Sequence, residues 1–147
     1  MKLLLINLFL CVAVLVNAQD TLNIDAKLQK EYLTEEMSPF YIGMPVDSFF
    51  STSKIDNTGD ISYSRTIETE NAKKITYQCS KDILYEMFVE YKPTFNLEEF
   101  MNKKFGPTNS ENQGVPGWKI KLNDGLTLLI WQYEQKYCIA DYRQFNY

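Results

Sequence analysis

Apolar residues recur at every second position in this chain, in runs too short and too closely spaced for anything but hairpins. Ile61, Tyr63, Arg65 and Ile67 alternate with Ser62, Ser64, Thr66 and Glu68, the pattern of a strand with one buried face. Ile75, Tyr77 and Cys79 resume the period after a turn at Glu70-Asn71. Ile83, Tyr85, Met87, Val89 and Tyr91 carry it through a third run. Such spacing predicts antiparallel hairpins in a meander. Three more runs, over residues 118–122, 126–133 and 137–143, are joined by Asn123-Asp124-Gly125 and Glu134-Gln135-Lys136, connections of hairpin length.

A helix stands between the two sets. Leu97, Phe100, Met101 and Phe105 make its apolar stripe. Asn96 caps it, and Glu99 stands where a capping box needs an acid. Gly106-Pro107 stops it. A shorter helix opens at Gly43-Met44-Pro45, because proline suits a first helical turn, and turns Val46, Phe49 and Phe50 inward. Residues 20–37 read as a loose helix with Leu28, Tyr32 and Leu33 inward. Residues 38–44 read as an extended lead-in, since Pro39 biases Ser38 away from helix. Residues 57–60 form a turn and residues 109–117 a polar loop. The order αβββαβββ looks like one unit used twice. The expected fold is α+β, an antiparallel sheet of about six strands with two helices on one face.

Residues 1–18 have the order of a secretory leader: Lys2, an apolar run over residues 3–16, then Asn17-Ala18. The run is about fourteen residues, short of the roughly 20 that span a bilayer. Cys11 lies inside it with Leu10 before it, which does not suit a lipoprotein signal. The expected organisation is a signal peptide over 1–18, an N-terminal segment over 19–44 and one domain over 45–147, periplasmic or secreted, with no membrane span. Losing Lys2 takes the formal net charge from −4 to −5. The longest basic clusters left are the pairs Lys73-Lys74 and Lys103-Lys104. No basic stripe for nucleic acid or anionic lipid is present.

The chain contains no histidine. That removes the commonest general base and zinc ligand and the usual partner of a nucleophilic serine or cysteine. Neither a phosphate-cradling glycine loop nor a nucleophile elbow occurs. Two cysteines without histidine complete no zinc site. The reading is therefore a non-catalytic domain without cofactor or metal. Asp56, Asn57 and Asp60 lack the spacing of a calcium loop and suit a turn with Asx chemistry. Glu98 and Glu99 complement the start of their helix. Glu86 and Asp141 are the pair on which a carboxylate-only hydrolase would depend; the simpler reading leaves them solvated or hydrogen-bonded on a sheet. After export, Cys79 and Cys138 are either two buried thiols or a disulfide. A bridge closing about 60 residues would contribute roughly 4 kcal/mol.

The run over residues 126–133 departs from simple alternation. Leu126, Leu128 and Ile130 fall on one face, but Leu129, Trp131 and Tyr133 make the other apolar too. Leu84 and Phe88, and Ala140 and Tyr142, extend that second apolar face. A one-sided sheet should be polar there. Either the N-terminal segment covers this face, or it is a docking surface for which Trp131, Tyr133, Phe88 and Tyr142 are the anchors. The occupant would be a protein partner or, with the same rings as stacking platforms, a glycan.

Ile42-Gly43-Met44-Pro45-Val46 ahead of a short helix, with the later Phe105-Gly106-Pro107 helix ending, resembles small exported envelope domains of the beta-lactamase-inhibitor-protein-like and SmpA-like group. The likeness covers residues 41–55 and 96–107. Pro45 departs from the polar cap usual after Gly-Met. The Asn-, Lys- and Tyr-rich composition and the Asn-Ala-Gln junction also resemble exported proteins of Bacteroidota. The resemblance implies a non-catalytic domain that binds another protein through its sheet.

Overall fold

The alternating runs form strands that pair with their neighbours in sequence. The computed structural model describes residues 24–50, 55–58, 61–80 and 82–145; the expected leader lies outside them. The strands are β1 (Asp56–Asn57), β2 (Ser62–Thr66), β3 (Ala72–Cys79), β4 (Leu84–Tyr91), β5 (Ser110–Asn112), β6 (Val115–Lys121), β7 (Thr127–Tyr133) and β8 (Lys136–Asp141). They make one antiparallel sheet in the order β1-β2-β3-β4-β8-β7-β6-β5. Helix α1 (Val46–Phe50) precedes the first four strands and α2 (Leu97–Phe105) the second four. The last strand of each half, β4 and β8, pair at the centre of the sheet. The repeated unit is a helix followed by a four-strand meander.

Each half thus holds one strand more than the periodicity predicts, making eight and not six. Polar composition concealed both. β1 is Asp56 and Asn57, paired with Ser64 and Tyr63, and Asn57 is the first residue of the expected turn. β5 and the start of β6 lie in the expected polar loop, where Gln113 and Gly114 both take positive φ, 51° and 80°. That conformation closes a two-residue hairpin, and glutamine at its first position is not a residue that signals it.

One face of the sheet is the core. Ile75, Tyr77, Met87, Val89, Leu128, Ile130, Tyr137 and Ile139 are fully buried there. From α2, Leu97 and Met101 are buried, and Phe105 meets Trp118 and Tyr137 with ring centroids 5.2 and 6.2 Å away. The Asn96 side chain accepts from the Glu99 backbone N–H at 3.2 Å and donates to the Glu99 carboxylate at 2.9 Å, as its sequence position suggests. Gly106 ends the helix at φ 72°.

The N-terminal segment belongs to the same core. In the described part of the loose helix expected over residues 20–37, from residue 24 on, there are instead two 3-10 turns, Ala26–Gln29 and Glu35–Met37. Fully buried Gln29 exchanges two hydrogen bonds with the Ile42 backbone, at 2.8 and 2.9 Å. Phe40 packs on Phe49 and Tyr77 at 5.1 and 4.9 Å, and the Tyr137 hydroxyl donates to the Tyr32 carbonyl. The expected extended lead-in contains turns. Its end docks on β4: Gly43, at φ 87°, donates to Leu84 O, and Leu84 N–H donates to Met44 O.

Candidate functional site: the open face of the sheet

Cross-strand register lays out the second face in three rows. The first runs Ser62, Gln78, Glu86, Ala140, Leu129, Lys119. The second runs Asp56, Ser64, Thr76, Phe88, Cys138, Trp131, Gly117. The third runs Thr66, Lys74, Glu90, Lys136, Tyr133. Phe88 and Trp131 flank Cys138, their rings 6.3 Å apart and nearly perpendicular at 88°. With Thr76, Lys74, Lys136 and Tyr133 they line a groove of about 380 Å³. Tyr133 is 55% exposed, and Phe88 and Trp131 are half-buried. The sheet gathers Phe88, Trp131 and Tyr133 around one groove. Tyr142, in the 3-10 turn Tyr142–Phe145, joins them at the margin, where Lys119 Nζ lies 3.4 Å from its ring centroid.

Leu84 is the exception among the second-face residues. It is fully buried in the core. Gln78 pairs with Glu86 but Cys79 with Leu84, so Tyr85 is the extra residue of a β-bulge, and Leu84 is turned to the core side. The described part of the N-terminal segment, residues 24–44, does not cover the open face either, because its buried residues Gln29, Met37, Phe40 and Ile42 pack on the core side. A second cavity of about 610 Å³ opens among those 3-10 turns, beside Lys30, Leu33 and Pro39. It adjoins the start of the described chain and gathers none of the second-face aromatics.

The structure does not pair the two candidate carboxylates. Glu86 lies opposite Ala140, so its neighbour Asp141 faces the core side. Asp141 is fully buried and accepts hydrogen bonds from Arg143 Nε and Nη2 at 2.5–3.0 Å. Glu86 is nearly buried, and that burial pushes its carboxyl up to about 7. The cysteines are likewise separated. Cys79 belongs to the core, Cys138 to the open face, with β4 between their strands. Both are free thiols. Burial raises Cys79 to about 11, and burial followed by the nearby Glu86 raises Cys138 well above the usual thiol range. Neither is poised as a thiolate nucleophile. Among the described residues no cluster of three or more acidic or cysteine side chains could hold a metal.

Gly117 contributes to the site unannounced. A Cβ there would lie 2.5 Å from the Ile130 carbonyl oxygen and 3.3 Å from Trp131 Cβ, so only glycine lets β6 approach β7 at the tryptophan. An isolated glycine inside a strand is the available signal for such an approach, obscured here because residues 109–117 read as a loop. No family model matches the chain, and no curated protein or solved structure compared with it matches either.

Proposed function

We propose that the chain is an exported, non-catalytic domain that binds a protein partner through the open face of its sheet, with Phe88, Trp131 and Tyr133 as the central anchors and Tyr142 at the margin. One observation carries this reading. A sheet whose core face is already filled by two helices and the N-terminal segment sets three incompletely buried aromatic rings around a groove on its other face. Aromatic rings are costly to leave in water and are the side chains that most often anchor interfaces. Several features agree with a binding role. The chain has no histidine, its thiols are held protonated by burial, and Glu86 and Asp141 face opposite sides of the sheet. Export rests on the leader pattern of residues 1–18, and no helix among the described residues is long and apolar enough to cross a membrane. The envelope-domain resemblance implies the same kind of role.

The test is capture from native envelope extract on wild-type protein and on a folded Trp131→Ser variant. A protein retained by wild type, lost by the variant, and binding again when purified supports the reading. Identical captures would overturn it. A soluble glycan that quenches Trp131 emission while no protein is captured would transfer the face to carbohydrate.

A further inference from the structure

We infer that the partner enters this face through an acidic polypeptide segment with one apolar side chain at its centre, an inference that rests on the protein-binding reading above. The chain is acidic overall, at −4, yet its open face is cationic. Lys74, Lys119, Lys121 and Lys136 occupy open-face positions by register. Lys73, at the β3 irregularity, reaches the same side to pair with Glu90 at 3.0 Å. The opposing strand carboxylates are few. Asp56 is on the outermost strand, Glu90 is engaged by Lys73, and Glu86 is nearly buried. The open-face positions of β6, β7 and β8 carry three of the lysines and no carboxylate. Among the described residues Lys136 is answered by Glu134, 4.0 Å away in the β7–β8 turn, and has Glu90, already paired with Lys73, as its cross-strand neighbour.

The placement of the ammonium groups selects the occupant. Lys136 Nζ lies 5.5 Å from the Tyr133 ring centroid and Lys119 Nζ 3.4 Å from that of Tyr142. The ring face of Tyr142 under Lys119 is closed to a stacking sugar, whereas each ammonium keeps donors for a carboxylate. Beside these cations the groove is walled by Phe88 and Trp131, with Thr76, Cys138 and the Lys73-paired Glu90 completing its lining, and its volume of about 380 Å³ admits an apolar side chain. Lys119 is one strand and two residues from Trp131 by register, within about 10 Å at ordinary sheet spacings. An extended peptide advances about 3.3 Å per residue, so carboxylates two or three positions either side of a seated apolar residue reach Lys74 and Lys136 on one flank and Lys119 on the other.

The probes are three short peptides with a central leucine, flanked on both sides by three glutamates, three glutamines or three lysines, titrated into the exported protein. The indole N–H resonance of Trp131 is the signal, with buried Trp118 as internal reference. Saturable shifts at Trp131 are expected with the glutamate peptide. Its affinity should exceed that of the glutamine peptide by about tenfold or more. It should fall at least about tenfold between low and high salt, and by a similar factor in a Lys119→Glu/Lys136→Glu variant. Equal affinities for the glutamate and glutamine peptides, or no Trp131 shift, overturn the acidic segment. The charge variant used as bait in native extract separates the two claims. A partner lost by Trp131→Ser but kept by Lys119→Glu/Lys136→Glu leaves the protein-binding reading standing and refutes the acidic one. If heparin shifts Trp131 and the glutamate peptide does not, the inference fails in favour of an anionic glycan.

Discussion

The two halves of the molecule share a plan and differ in what they expose. Each is a helix followed by a four-strand meander, and each fills the core face with alternating apolar residues. The first half has a five-residue helix; the second has nine residues with a reciprocal Asn96–Glu99 cap. On the open face the first half shows Ser62, Ser64, Thr66, Thr76 and Gln78, short polar side chains that ask little of a neighbour. The second half places Leu129, Trp131, Tyr133 and Cys138 on that face, with Leu129 and Cys138 buried and Trp131 and Tyr133 reaching the surface. Core packing constrains both halves alike and cannot account for this contrast, because the open face takes no part in it. The aromatic face is therefore where the two halves of one architecture differ most, and the seam between β4 and β8 is where Phe88 adds a first-half ring to it.

Substitutions can break or sharpen the comparison. The largest effect should come from the first-half core: Phe49→Ala removes a fully buried ring in contact with Phe40, Tyr63 and Tyr77 and should cost about 3–5 kcal/mol. The partly buried second-half ring, Phe105, should cost clearly less on the same change. Equal losses in urea unfolding would mean that the halves are energetically equivalent.

Next comes Glu86, at the seam. Its folded pKa, near 7, lies above the ordinary carboxyl value of 4.5. The folded state therefore binds more protons than the unfolded chain between those values, and stability falls as pH rises through the window. A Glu86→Gln variant cannot ionise. It should match wild type near pH 4 and exceed it by up to about 3 kcal/mol near pH 8; a constant difference across pH would show that Glu86 does not titrate in this range. Gly117→Ala, which forces a Cβ against Ile130 O, should destabilise by about 1–3 kcal/mol and shift the Trp131 emission. Ser64→Ala in the first-half copy of that row should do neither. The smallest effect is expected for Asn96→Ala, about 1 kcal/mol from the lost α2 cap, seen as faster amide exchange in the first turn of α2.

Leu84 and Trp131 show how far the site was legible. Both fall on the second face by simple counting, and only Trp131 is there. One inserted residue at Tyr85 reverses the facing of Leu84, since a strand's side chains alternate with a period of two and a bulge shifts that phase. The bulge joins Cys79 to Leu84 across two strands and has no local signature in residues 83–86. Trp131 lies in an unbroken stretch of β7, so counting places it correctly, together with Tyr133. Gly117 escaped notice because its importance is a distance to another strand.

Sequence alone determined six of the eight strands, the capped second helix, the doubled pattern of a helix followed by a meander, and the lack of histidine. Each of these depends on residues near one another in the chain, through alternation, capping or composition. Tertiary structure alone decided that β4 and β8 meet at the centre, that Cys79 and Cys138 lie on opposite faces, and that Glu86 and Asp141 are kept apart. It also placed Gln29 and the 3-10 turns in the core, so that the aromatic face stays uncovered among the described residues. These outcomes depend on which distant strands pair and on which side a long connection returns. Such choices are made by the burial of the whole domain, and no short window of sequence contains it.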